Sequence, residues 1–276
     1  MMKRIVTIQD ISCLGKCSLT VALPIISAMG VEAAIIPTAV LSTHTMFKNF
    51  TFKDLDDQIV PITDHWKNEN IKFDGIYTGY LASAQQIQTV MGVIEKLRED
   101  NTLVVVDPAM ADNGKMYPAF DETFPKAMAK LCGIADIVLP NITEACFMTD
   151  TEYKTDYDKA YIDDLLKKLA ALGCKKVVLK GVSLDGKYGV LCYDCKTGEI
   201  NSYYHEKLSR SFHGTGDVFA STFVGASMRG KDMLESVKLA ADYTVESIRK
   251  TLESDEPNWY GVDFESAVGL LIDRLK

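Results

Sequence analysis

The stretch Ser-Phe-His-Gly-Thr-Gly-Asp-Val-Phe-Ala-Ser-Thr-Phe, from Ser211 to Phe223, joins a small-residue turn to an apolar run. Val218, Phe219, Ala220, Thr222, Phe223, Val224 and Ala226 read as a buried helix. Gly214, Thr215 and Gly216 stand just before it. A helix that opens on such a turn leaves backbone N–H groups free at the positive end of its dipole, which suits an anion. Glycine also lets the backbone approach a phosphate closely. Asp217 has two readings from these residues alone. An acid in the first helical turn is locally favourable. A carboxylate beside an anion hole also suits taking a proton from a hydroxyl that attacks a phosphoryl group.

Outward from this stretch, the chain alternates strands and helices. Immediately upstream, Tyr188–Cys192 and Ile200–His205 flank Lys196-Thr197-Gly198 and read as a hairpin. Downstream, residues 218–229, 232–252 and 264–275 are predicted to be helical. Toward the N-terminus, Ile5–Ile8, Val31–Thr38, Gly75–Thr78, Leu103–Val106, Ile137–Leu139 and Val177–Leu179 are short apolar runs. They fit strands buried on both faces. Helices are predicted over 19–29, 84–99, 121–133 and Tyr161–Leu172, with Asp54–Asn70 interrupted at Pro61. Asp10–Ser18, Ser42–Thr45 and 109–117 read as loops, the last mobile and on the surface. The alternation predicts an α/β fold: a mostly parallel sheet with helices on both faces and the late hairpin antiparallel at one edge.

In open parallel sheets, ligands bind outside the carboxyl ends of the strands. Those ends carry Asp10, Tyr80, Asp107, Asn141 with Glu144, and Lys180. Asn141-x-x-Glu144 is equally a helix cap with an acid at its third position. Gly15-Lys16 lacks the first glycine of a phosphate loop, and Cys17 replaces its Ser/Thr, so that motif is rejected. Cys192-x-x-Cys195 has no second pair for zinc and reads as structural. His213 beside Gly214 either orients the loop or fills space.

Gly-Thr-Gly-Asp followed after Val218 by Phe-Ala-Ser resembles the signature of the ribokinase-like superfamily of small-molecule kinases. Other segments resemble its pyridoxal/pyridoxamine (vitamin B6) kinase branch, over nearly the whole chain. The resemblance implies one ribokinase-like domain over residues 1–276, in line with the lack of any linker or repeat. It implies Asp217 as the base, Gly214, Thr215 and Gly216 as the anion hole, and Mg2+ with ATP as co-substrate. Asn141-x-x-Glu144 and Asp107-Pro108 resemble the family's metal- and phosphate-placing segments, with Asp107 and Glu144 as metal ligands. Asp112 matches a second acid near the nucleotide, in a flap over the reaction centre, and Lys180 adds positive charge there. Ser42-Thr43-His44-Thr45 resembles Ser-Asn-His-Thr of B6 kinases, whose threonine meets the pyridine ring. Thr45, His44 and Tyr80 are thereby implied to line the substrate site. Where the family has Ile-Gln-Ser-His, this chain has Ile8-Gln9-Asp10-Ile11. Asp10 is therefore expected to face the acceptor, and Asp10, Ser12 and Gly15 faintly resemble hydroxymethylpyrimidine kinases instead. A monovalent cation such as K+ and a homodimer are implied by resemblance only. The reading from a different class is a protein that binds a B6 vitamer without catalysis.

The 276 residues are 47% hydrophobic and 25% charged, enough for a sizeable core, with formal net charge −8. That balance argues against nucleic acid. No run is long enough to span a membrane. Met1–Gln9 is too short for a signal core, and seven cysteines without one point to reduced thiols and a cytoplasmic location.

Overall fold

The structure is a computed structural model and describes residues 2–210 and 212–275; Ser211, at the head of the signature stretch, and the two terminal residues lie outside it. Its centre is a nine-stranded sheet in the order β11-β10-β9-β8-β5-β4-β1-β2-β3. The parallel middle comprises β1 (Arg4–Leu14), β2 (Glu32–Thr43), β4 (Gly75–Thr78), β5 (Leu103–Val106), β8 (Ile137–Val138) and β9 (Lys176–Leu184). β10 (Lys187–Asp194) and β11 (Ile200–His205) extend it antiparallel, as the Lys-Thr-Gly turn predicts. The other edge is antiparallel too. There β3 (Phe52–Asp54) pairs with Ala39–Leu41, and its three residues are all exposed, so no apolar pattern marks it.

Helices cover both faces because the strands are apolar on both. α2 (Asp56–Asn68), α3 (Ala84–Leu97), α4 (Phe124–Gly133), α5 (Ile142–Met148) and α6 (Lys159–Ala171) bury Ile59, Ile87, Leu131, Ala145 and Leu165 against one face. α1 (Leu19–Ala28), α7 (Thr215–Met228) and α8 (Met233–Glu253) bury Ile26, Phe223 and Val237 against the other. A further apolar cluster ties α1, α7 and α8 to α9 (Val268–Arg274) through Ile25, Val218, Tyr243 and Leu271.

Four sequence expectations need correction. β1 does not end at Ile8. It runs to Leu14, because a bulge at Asp10 lets Ile11, Ser12 and Leu14 keep pairing with β2. Pro61 does not interrupt α2, which runs through it with the proline ring exposed on the outer face. The last helix begins at Val268 rather than 264, since Val262–Ala267 is a turned segment. Residues 109–117 form a hairpin, β6 (Ala111–Asp112) with β7 (Lys115–Met116), turning at Asn113 and Gly114 with φ of 50° and 76°. Met110 and Ala111, at its entry, are buried. Among the cysteines, Cys195 Sγ lies 4.0 Å from Cys174 Sγ, while Cys192 is sealed in the core.

Candidate active site

The carboxyl ends of the parallel strands meet the N-terminus of α7. Gly214 caps that helix at φ 79°, and no side chain caps it. A Cβ there would stand 2.0 Å from the Lys16 carbonyl oxygen, so only glycine fits. Asp217 is in the first turn. Burial, then the charge of Asp107, pushes its carboxyl up to about 7; a backbone hydrogen bond from Ser18 pulls the other way.

Asp107 follows β5 and is buried. Its Oδ1 accepts a 2.8 Å bond from Lys180 Nζ, itself in β9. Burial lifts Asp107, with Lys180 opposing. Burial pulls Lys180 down, but Asp107, Glu144 and Asp217 around it hold it above its ordinary value. It is therefore a charged lysine among three carboxyls. Lys180 N donates to Pro140 O at 2.8 Å, which fixes β9 beside Asn141.

Asn141 and Glu144 form a complete capping box. Asn141 Oδ1 accepts from Glu144 N at 2.9 Å, and Glu144 Oε2 from Asn141 N at 2.7 Å. The same pair carries the flap. Met110 N donates to Glu144 Oε1 at 3.3 Å, Asn141 Nδ2 to Ala111 O at 2.9 Å, and Gly114 N to Thr143 Oγ1 at 3.0 Å. Burial lifts Glu144 to about 8, against Lys180 and reinforced by Asp107. The helix cap and the hold on the 110–114 backbone are thus one arrangement. Asp112 stands at the exposed tip, accepting from Asn113 N and Nδ2.

Near Asp217, the β1 register shift falls at Asp10, which is buried. Ser12 Oγ donates to its Oδ2 at 2.9 Å, and the Ser18 hydroxyl also bears on it; burial lifts the carboxyl despite both. Tyr80 is near enough to Asp10 that burial and that charge push its phenol up to about 12. Its ring leans on Phe120, which stacks on Phe124 at 3.8 Å. A Cβ on Gly79 before it would stand 2.4 Å from Gln9 Oε1, so the buried Gln9 side chain would have to shift. His44 is buried, with Met46 N donating to Nδ1 at 3.2 Å, so Nε2 carries the proton and donates to Tyr260 O at 2.8 Å. Thr45 is exposed.

The geometry thus gathers Asp10, Tyr80, Asp107, Asn141, Glu144, Lys180 and Gly214–Asp217 at one mouth. It leaves Thr45 at the outer rim and engages both His44 nitrogens within the protein. Tyr117, unmarked in the sequence, also reaches in. Burial, then Glu144, Asp112, Asp217 and Asp107, drive its phenol far up, so it stays a hydroxyl donor. A tyrosine leaving a Gly-containing turn gives no sequence signal of this. Among the described residues, no three His, Cys, Asp or Glu cluster as a ready metal cage. Asp107 and Glu144 offer carboxylate oxygens only. That fits a hard cation keeping several waters and bound partly through phosphates, as magnesium is. No described helix is long and apolar enough to cross a membrane.

Residues 22–259 match the phosphomethylpyrimidine kinase family. The chain is 30% identical to the pyridoxal kinase PdxY of Haemophilus influenzae, over 81% of this chain and 80% of that one. It is 26% identical to a hydroxymethylpyrimidine/phosphomethylpyrimidine kinase of Aquifex aeolicus, over 66% of this chain and 70% of the other. A Bacteroides thetaiotaomicron protein, provisionally a phosphomethylpyrimidine kinase and crystallised with pyridoxal, superposes with a TM-score of 0.93 at 35% identity. That superposition covers 98% of this chain and 96% of the other. Fold, strand-end cluster and these matches together make the chain an enzyme of the phosphomethylpyrimidine kinase family, on the pyridoxal kinase branch of the ribokinase-like superfamily.

Proposed function

We propose that this kinase transfers the terminal phosphoryl group of ATP to the hydroxymethyl group of pyridoxal, pyridoxamine or pyridoxine. The observation that carries this reading is Asp217: a buried carboxyl lifted to about 7, in the first turn of an uncapped helix, beside a charged lysine. A general base works best with a pKa near the operating pH. Asp217 takes the proton of the attacking hydroxyl. The N–H groups of Gly214, Thr215 and Gly216 face the charge that develops on the transferring group. Lys180 adds positive charge from the nucleotide side. Asp107 and Glu144 would hold magnesium through water, which neutralises phosphate charge when bound. Asn141, Asp112 and Tyr117 shape the flap side of the same space. Asp10, Tyr80 and Thr45 face the acceptor ring, and His44 stiffens the segment that carries Thr45. The pyridoxal bound by the Bacteroides protein supports a B6 acceptor. A K+ requirement, a homodimer and a cytoplasmic location belong to the same reading.

The family description and the Aquifex relative favour one alternative acceptor, hydroxymethylpyrimidine. Initial rates with ATP and magnesium over the three vitamers, hydroxymethylpyrimidine and simple sugars separate the two. The expected result is highest kcat/KM for a B6 vitamer. A higher value for the pyrimidine would reassign the acceptor.

A further inference from the structure

Gly15-Lys16 looks like a phosphate-binding pair in the sequence, but the Lys16 ammonium is turned away from the site. It bonds Glu265 Oε2 at 2.7 Å and lies 5.5 Å over the Phe264 ring. The Lys16 side chain is only 17% exposed, although it carries a charge at the molecular edge. Its backbone is unusual as well. Lys16 and Ser18 both have positive φ, 50° and 51°, without being glycine. Such conformations cost of order 1 kcal/mol or more each and persist where the surroundings over-determine them.

Those surroundings are one segment. Tyr260–Glu265 crosses the turn like a strap. A Cβ on Gly261 would stand 2.6 Å from Lys16 Cβ and 3.3 Å from Gly15 O, so the two backbones are in tight contact. Tyr243 Oη donates to Phe264 O at 2.6 Å, and Asp263 N to Thr251 Oγ1 at 2.7 Å, which pins the strap to α8. Tyr260 O accepts from His44 Nε2 at 2.8 Å.

On its other side the turn carries the site. The Lys16 carbonyl packs on Gly214, the first residue of the anion hole. Ser18 supplies the backbone hydrogen bond to Asp217 and a hydroxyl to Asp10. His44 abuts Gly15, where a Cβ would lie 2.6 Å from its Cδ2. Its ring centroid is 4.2 Å from that of His213, which precedes Gly214.

We propose that Tyr260–Glu265 is a positioning strap that, through Lys16 and His44, sets the 15–18 turn and with it the anion-hole backbone and the Asp217 carboxylate. Lys16 is a positioning residue and not a phosphate ligand. This rests on the Asp217 site proposed above, whichever alcohol that site phosphorylates.

The test uses the full chain. Lys16→Met keeps the stem over Phe264 and removes the ammonium; Glu265→Gln removes its partner. Each should lower kcat by about tenfold, the scale on which small misplacements act. KM for ATP should stay within about twofold, and the double variant should be no worse than either single one. Exchanging the charges, Lys16→Glu with Glu265→Lys, should recover most of the loss. A large rise in KM for ATP at unchanged kcat would make Lys16 a phosphate ligand, and strictly additive losses would uncouple the strap; either overturns the proposal. A second variant needs no turnover. Gly261→Ala has no backbone penalty, so its methyl acts only as a wedge against Lys16. Amide exchange should quicken at 15–18 and 44–47 as well as at 260–265. Exchange confined to 260–265 overturns the strap, independently of which acceptor the wild type uses.

Discussion

Two buried carboxyls at opposite ends of the same sheet live in opposite surroundings. At the amino end, Asp136 precedes β8. Its Oδ1 meets Arg98 Nη2 at 2.8 Å and Lys175 Nζ at 2.7 Å, and its Oδ2 accepts from Val104 N at 2.8 Å. Both oxygens are thus engaged by the protein, three donors in all. At the carboxyl end, burial and then Asp107 and Asp10 push Asp217 up, against only one backbone hydrogen bond from Ser18 and the charge of Lys180. A satisfied charge holds a fold together. A charge left under-satisfied beside an open helix end stores free energy that chemistry draws on.

The sharpest break of that contrast is Asp217→Asn. It keeps size and removes the base, so kcat should fall by about 10² or more. Stability should move the other way. A carboxyl at about 7 when folded, against 3.8 as the ordinary value, binds its proton more tightly in the folded state. It therefore destabilises the fold above pH 7, on the order of 4 kcal/mol, and this cost vanishes as pH falls through 7 toward 4. Tm of the Asn variant should exceed wild type at pH 8 and match it near pH 4. Near-normal turnover in a folded variant would remove Asp217 from the mechanism. In the wild type the same group should give kcat an acid limb near pH 7, activity falling below it.

Asp136→Asn is the mirror experiment. It should lose about 2–4 kcal/mol of stability, because the Val104 N–H and two cations lose a charged acceptor. Both cations reach solvent, which holds the loss below that of a sealed pair. Steady-state kcat and both KM values should stay near wild type. A large kcat loss at unchanged Tm would erase the distinction between the two ends.

Much of this contrast is legible in the sequence, and the reasons are physical. Gly75–Thr78 and Leu103–Val106 stand out because central parallel strands are buried on both faces, so apolar runs mark them. Their carboxyl ends then point to Tyr80 and Asp107, as that of Val177–Leu179 points to Lys180. The Gly-Thr-Gly turn betrays the helix start and its acid. What stays hidden depends on contacts distant in sequence. β3 exists only by pairing with β2. The extension of β1 through Asp10–Leu14 depends on a bulge that polar residues do not announce. The Ser18 N–H, the Tyr117 hydroxyl and the Lys16–Glu265 pair each join segments that no local pattern relates.

Glu144 lies between the two extremes, since it caps α5, holds the flap and faces Lys180. Glu144→Gln keeps one acceptor oxygen, enough for the Asn141 N–H of the capping box, but turns an NH2 toward the Met110 N–H, so a modest fall in Tm is expected and the magnesium dependence is the deciding readout. If the carboxylate places magnesium, the concentration for half-maximal rate should rise by about tenfold, the usual scale for a supporting ligand. An unchanged magnesium dependence would leave Glu144 as a cap alone and move it to the Asp136 side of the comparison.

Asp10 tests the comparison at its finest. Like Asp217 it is buried and lifted by burial, but unlike Asp217 it has hydroxyl partners in Ser12 and Ser18. If those hydroxyls satisfy it fully, it is a structural acid that only stiffens the bulge. If a lone pair remains for the acceptor, it selects ring substituents that donate, such as a pyridine 3-hydroxyl or an amine. Asp10→Ser restores the residue of the B6 kinase pattern and keeps a short polar side chain at the bulge. Under the selecting role, kcat/KM should shift among pyridoxal, pyridoxamine and pyridoxine by about fivefold, the equivalent of about 1 kcal/mol for one hydrogen bond. KM for ATP should hold, because Asp10 is hydrogen-bonded to Ser12 and Ser18, while Lys180 is bonded to Asp107. Were all vitamers and ATP to weaken together, or Tm alone to fall, Asp10 would belong with Asp136, and the acceptor pocket would reduce to Tyr80 and the segment that His44 holds.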